Sequence, residues 1–362
     1  MYRSAILKSK IFNILLICAF FLTIGAFPTK VFSQENKAEG TEKKFDAGKT
    51  AMEHISDKHE WHLLGEKVSV PLPVILYTDK GLELFSSANL KPEGAIYKGK
   101  YYSYTLENEK IKVADEAGKV DDAATKKVWD FSITQNVAGM WVSALVLLVI
   151  FLTVASAYKK RGSNKAPKGL QSFMEPVILF IRDDVAKPNI GLKYERFVPL
   201  LLTVFFFILI NNLFGMIPFF PGAYNLTGNI AVTFTLAFII FLVINLNGNK
   251  YYWKHIFSPN PWWLFPIMIP VEVVGIFSKP IALMIRLFAN MLAGHIVIIS
   301  LISLIFIFNT LWMAPVSVGF ALFIDVIEVL VVFLQAYVFT ILSALFIGMA
   351  VEEHHESHTE II

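Results

Sequence analysis

Arg286, Asn290 and His295 stand inside an otherwise apolar run, SKPIALMIRLFANMLAGHIVI, at residues 278–298. A second apolar run, residues 311–350, carries Asp325, Glu328 and Gln335. Arginine keeps its proton at any ordinary pH, so Arg286 can serve only as a fixed positive charge. Histidine and carboxylates exchange protons with water and tune one another. Together the two types suit the movement of a proton past a stationary cation. A carboxylate on a partner would be drawn to Arg286 when ionised and released when protonated.

Spacing sharpens this reading. Arg286 and Asn290 are four apart and share one helix face. His295 lies nine residues after Arg286, ~13 Å farther along a helix and half a revolution round. Glu328 and Gln335 are seven apart, nearly on one face and ~10 Å from each other. Asp325, three residues before Glu328, falls on an adjoining face. An Arg and a Gln on one level, with a His and a Glu/Asp group on another, make two zones. The plain alternative is that buried charges pair to hold two helices together. An arginine in hydrocarbon costs roughly 2.5–3.5 kcal/mol on insertion scales, and six polar groups on two apolar segments favour an ion path.

The elements that must position these groups are membrane helices. Of 362 residues, 55% are hydrophobic and 17% charged, against ~25% charged in a soluble domain. The net charge of +3 does not suggest nucleic acid. The single cysteine, Cys18, excludes an intrachain disulfide framework and a Cys-based zinc site. No cofactor or metal is expected.

Residues 1–33 have the form of a leader: Arg3, Lys8 and Lys10, then IFNILLICAFFLTIGAF, then VFSQ with a cleavage point after Ser33. An uncleaved anchor is the alternative. Residues 34–130 form a different material. QENKAEGTEKKFDAGKT is charged and reads as flexible, whereas VSVPLPVILYT and GKYYSYTLENEKIKV carry strand-type residues. HISDKHEWH, with His54, His59 and His62, reads as a polar solvated linker, because no carboxylate or Cys pattern completes a familiar metal geometry.

Residues 131–352 read as the membrane domain. Val137–Tyr158 is long enough for one span. KKRGSNKAPKG, which follows, has five basic and no acidic residues and belongs on the cytoplasmic side. LQSFMEPVILFIRDDVAK reads as an interfacial amphipathic helix. Phe197–Phe220 and Ile230–Gly248 are further spans, joined by the turn PGAYNLTGN. Residues 281–309 and 311–350 form runs of 29 and 40 positions, ~43 and ~60 Å if helical. Both exceed a ~30 Å hydrocarbon core unless strongly tilted or broken. The expected fold is an all-α polytopic membrane protein with about five crossings and an interfacial helix. Its last two helices are long and tilted, and a small strand-containing domain precedes them on the periplasmic side. Residues 353–362 are a polar cytoplasmic tail.

The run SKPIALMIRLFANMLAGHIVI resembles the signature of subunit a of the membrane sector of the F-type ATP synthase. LQAYVFTILSALFIGMAVEEH, NNLFGMIPF and PVEVVGIFSKP are similar to further blocks of that family. The resemblance runs from about residue 137 to 355. It implies a non-catalytic, proton-conducting stator subunit in a bacterial inner membrane, with the c-ring, the peripheral-stalk subunit b, other F1F0 subunits and the lipid bilayer as partners. It implies that Arg286 faces the rotor carboxylate, with Asn290 in the same segment and Gln335 packed near the arginine. His295 and Glu328 match a Glu/His pair lining the outer half-channel, with Asp325 beside it, and Glu272 matches an acidic position of the cytoplasmic half-channel. Two departures stand out. GNIAVT leaves Asn229 and a nonpolar Ala231 where the family often has an Asp or Asn pair, and the domain of about 100 residues before the spans has no counterpart in a minimal subunit a. A self-contained proton-coupled secondary transporter is the rival reading. It would need internal repeats and a pocket near the midplane, and the two halves carry no convincing repeat. A purely structural membrane anchor is a further alternative.

Overall fold

The computed structural model describes residues 57–64, 68–92, 94–107, 109–115, 118–161, 166–217, 222, 224–257, 265–308 and 312–351. The expected leader, the QENKAEGTEKKFDAGKT stretch, His54 and the tail 353–362 lie outside these residues.

The described residues begin with short strands. β1 (Glu60–Leu64) pairs antiparallel with β2 (Val68–Pro71). β3 (Pro73–Thr78), β4 (Gly81–Ser86) and β8 (Trp129–Asp130) form a second sheet in the order β4-β3-β8. β5 (Tyr97–Lys98), β6 (Ser103–Glu107) and β7 (Lys110–Ala114) form a third. Alternation in PVILYT and GLELFS turns Val74, Leu76 and Phe85 into one core with Leu90, Tyr104 and Val113. Glu83 is buried there and satisfied: its carboxylate accepts from Tyr104 Oη at 2.8 Å, from the Tyr101 amide at 3.0 Å and from the Lys100 amide at 2.9 Å. The solvated-linker reading of HISDKHEWH fails at His59 and Trp61. His59 is buried 3.7 Å from an Asp130 oxygen, and Trp61 packs on Leu72 and Ala138. An apolar neighbour from a distant helix outweighs the polar letters around Trp61.

Helices follow. α1 is Gln135–Arg161. α2 (Leu170–Leu179) runs through a π-helical turn, Phe180–Ala186, and a helical turn, Lys187–Ile190. Gly191, at φ +73°, reverses the chain into α3 (Tyr194–Met216). α4 is Ile230–Leu246, α5 Lys250–Phe257, α6 Phe265–Phe308 and α7 Met313–Val351. Among the described residues four helical segments are long and apolar enough to cross a membrane: Gln135–Lys160, Leu170–Met216, Pro266–Ile305 and Ala314–Val351. Ile230–Leu246 is a shorter apolar helix of 17 residues. The chain is a mostly helical, polytopic membrane protein.

The segment read as interfacial buries Gln171, Met174, Ile181, Val185 and Ala186 against the helices. The connection read as a plain turn also folds inward, with Tyr224, Leu226 and Thr227 buried. α3 runs through the centre of the bundle, with Phe197, Leu201 and Val204–Leu209 buried, and packs on α1 and α7. α6 continues through Pro270 and Pro280 for 44 residues, ~66 Å. α7 covers 39 residues, ~58 Å. The two pack against each other along Leu283, Leu287 and Met291 of α6 and Val332, Ala336 and Phe339 of α7.

Candidate functional site

The antiparallel register of α6 and α7 is marked by three contacts. Asn290 Nδ2 donates to Gln335 Oε1 at 2.8 Å. A turn farther on, Gly294 lies against the Glu328 carboxyl group, where a Cβ would come within 2.8 Å of Glu328 Cδ. Near the far end, Ser317 Oγ donates to the Leu301 carbonyl. Glycine at 294 is therefore what lets the carboxylate approach the α6 backbone.

Arg286 is exposed on α6, one turn before Asn290. Among the described residues it has no hydrogen bond or ion pair. Glu328 and Gln335 are buried. Neither Glu328 oxygen, nor His295 Nε2, has a hydrogen-bond partner among the described residues. Buried polar atoms are ordinarily paired with protein or water. Asp325 lies three residues before Glu328 on α7.

A recess with about 10 Å³ of free volume is lined by Asn212, Asn290, Met291, Glu328, Val331, Val332 and Gln335. That is room for about one water. It joins the Asn290–Gln335 level to the Glu328 level and brings in a residue from α3. His295 faces the same helix: its Nε2 lies 4.0 Å from the position of a Cβ on Gly215.

Asn212 was not singled out from the sequence. It accepts from Thr227 Oγ1 at 2.6 Å. The adjacent Asn211 accepts from Ser143 Oγ at 2.8 Å and from Tyr224 Oη at 3.2 Å. The signal available was two neighbouring amides inside a 23-residue helix rich in Leu and Phe. Burial pushes the Tyr224 phenol up, so it remains a donor. Asn229, in the stretch where Ala231 departs from the family pattern, caps α4 by accepting from the Ala231 amide at 3.0 Å.

Glu272 is placed apart from this group. It lies on α6, 14 residues before Arg286, ~21 Å along the helix. Burial, and then the Glu272 carboxylate, push the Tyr252 phenol of α5 up. One continuous helix thus carries Glu272 on one side of Arg286 and His295 on the other.

Residues 137–348 match the family described as ATP synthase A chain. The chain belongs to this family. It is a non-catalytic, multi-pass membrane subunit of the ATP synthase type, concerned with proton transport and ATP synthesis. The chain is 54% identical over 235 residues to ATP synthase subunit a of Chloroherpeton thalassium, covering 64% of this chain and 69% of the relative. It is 50% identical over 236 residues to ATP synthase subunit a 2 of Prosthecochloris aestuarii, covering 64% and 71%. It is 46% identical over 239 residues to ATP synthase subunit a of Myxococcus xanthus, covering 63% and 77%. Residues 50–131 match a separate domain of unknown function.

Proposed function

We propose that this subunit is the proton-conducting stator of an F-type ATP synthase, with Arg286 as the barrier between two half-channels. The observation that carries this is an exposed Arg286 with no intrachain partner among the described residues, one turn from the Asn290–Gln335 bond. An unpaired guanidinium on an apolar helix calls for a partner carboxylate, which the c-ring of the synthase would supply. A proton enters from the outer side past His295, Glu328 and Asp325 and neutralises that carboxylate, which then faces lipid. After a near-complete turn of the ring the carboxylate meets the inner half-channel near Glu272 and releases the proton. Arg286 attracts the ionised carboxylate and blocks direct leakage. The membrane potential contributes ~2.3 kcal/mol per charge per 100 mV.

In this reading the chain crosses the bilayer five times, counting Ile230–Leu246, and α6 and α7 fit by strong tilt. Residues 34–130 are periplasmic and 353–362 cytoplasmic, and the peripheral-stalk subunit b and the other F1F0 subunits hold the bundle in place. The five basic residues of KKRGSNKAPKG support that orientation. The test is coupled proton pumping in inverted membrane vesicles. Arg286→Ala should abolish it while the soluble head still hydrolyses ATP. Arg286→Lys should fail too, because a lysine can lose its proton in a low-dielectric site. Normal ATP synthesis by the lysine variant would overturn the barrier role.

A further inference from the structure

The β4-β3-β8 sheet has two apolar faces, and one of them forms the module's core. Val74, Leu76 and Phe85 point into the module's core. The opposite face carries Ile75, Tyr77, Leu82, Leu84, Trp129 and Phe131. Register places them together: Ile75 is opposite Leu84, and Tyr77 is opposite both Leu82 and Trp129. Phe131 is two residues beyond Trp129 and so on the same side, and its amide donates to the Ile75 carbonyl at 2.8 Å. Leu84 is 69% and Leu82 61% exposed, and Tyr77, Trp129 and Phe131 are exposed as well. Single exposed apolar side chains are ordinary, whereas a patch continuous over three strands marks an interaction surface.

Where the sheet is held limits what can cover it. Phe131 precedes Gln135, the first residue of α1, by four positions, at most ~14 Å of extended chain. The module is also clamped to the end of the bundle. The Gln135 amide donates to the Lys58 carbonyl at 2.8 Å, the Asn136 amide to Asp57 Oδ1 at 3.1 Å, and Trp61 Nε1 to the Gly222 carbonyl at 3.3 Å. Trp61 and Leu72 pack on Ala138, with Ile133 and Val142 alongside. α1 crosses the bilayer, so these contacts keep the sheet at the level of the headgroup layer, ~5–7 Å deep on each side of the hydrocarbon. Trp and Tyr concentrate in that layer because each joins an apolar ring to a polar tip.

We propose that the Tyr77–Leu82–Leu84–Trp129–Phe131 face lies on the bilayer surface as a lipid-contacting platform beside the end of α1. The module then rests on lipid through this face and grips the bundle through Trp61. The platform does not depend on which residues carry protons.

The test uses the full chain with Cys18→Ser as background, carrying single spin labels at Leu82→Cys, Leu84→Cys or, as a control at the exposed first residue of β7, Lys110→Cys. Each is reconstituted at low protein-to-lipid ratio in phosphatidylethanolamine–phosphatidylglycerol vesicles, and retained protease resistance of the module reports folding. Labels at 82 and 84 should collide several-fold more with oxygen than with a water-soluble nickel chelate, and the label at 110 should show the reverse. Chelate access at 82 and 84 equal to that at 110 would place the face in water and overturn the proposal. Protection from both reagents would also overturn it, by showing a protein cover such as residues 1–56 or a second copy. Should both leucine variants lose protease resistance, Tyr77→Cys reads the same face.

Discussion

Asn290 of α6 donates to Gln335 of α7 across 2.8 Å, one helical turn from Arg286. This bond ties the arginine's level on α6 to a buried amide on the neighbouring helix. It is one contact within the packed α6–α7 interface, whose register places Arg286 one turn away. Gln335→Ala leaves the Asn290 amide without that acceptor, and Asn290→Ala leaves Gln335 without that donor. A hydrogen bond of this kind is worth about 0.5–1.5 kcal/mol. The two single changes should each slow coupled proton pumping, and the double change should be less harmful than the sum of the two. A thermodynamic cycle on pumping rates and on thermal stability checks this; strict additivity would show that the bond does not act as a unit.

Gly294→Ala should damage the site without unfolding it. The new methyl group would meet the Glu328 carboxylate, the mobile end of a flexible side chain, while the helix backbones keep their spacing. Expected are normal assembly, a several-fold loss of pumping and a displaced pH profile. Gly319→Ala, where an added Cβ meets nothing within 4 Å, is the matched control and should change neither. Loss of assembly in the Gly294 variant alone would mean that the glycine serves packing and not the carboxylate.

His295 and Glu328 should behave as one unit, since Gly294, next to His295 in the chain, lies against the Glu328 carboxyl group, and neither His295 Nε2 nor the Glu328 oxygens have a hydrogen-bond partner among the described residues. Removing either leaves the other in altered surroundings, so single losses should not add. The exchange His295→Glu with Glu328→His should restore more proton flux than either change alone. A double variant no better than the worse single would separate the two residues onto different routes.

Arg286, Asn290, His295, Glu328 and Gln335 are legible in the sequence because a polar side chain within an apolar run is costly and needs a reason. Their relation across helices is not. Spacing along one helix specifies a face, but the sliding register of α6 on α7 is set by packing, and with it the meeting of Gly294 with Glu328. Asn211 and Asn212 open the NNLFGMIPF block, and their partners Ser143, Tyr224 and Thr227 are distant or sit in a connection that reads as a turn. Strand character in VSVPLPVILYT follows from its apolar, β-branched residues. The burial of Trp61 does not, because it depends on Ala138, 77 residues later and on a membrane helix.

The junction between the strand module and α1 supplies a pH-dependent prediction. The first amides of a helix have no partner within the helix; here the Lys58 carbonyl and Asp57 Oδ1 take two of them. Burial pushes the Asp57 carboxyl up, and the bond from the Asn136 amide opposes this only in part. An acid whose pKa is higher folded than unfolded binds more protons folded, so its contribution to stability falls as pH rises from ~4 through the raised value. Asp57→Asn keeps an acceptor oxygen and removes the charge. It should therefore flatten that slope and leave docking at pH 7 unchanged or firmer. Asp57→Ala removes the cap and should cost about 1 kcal/mol. Hydrogen exchange at the amides of residues 135–138, followed from pH 4 to 8, measures both. Faster exchange in Asp57→Ala, slow exchange in Asp57→Asn and a weaker pH trend in both are the expected results. An alanine variant that exchanges like the native chain would show that Lys58 and the Trp61 packing hold the junction without Asp57.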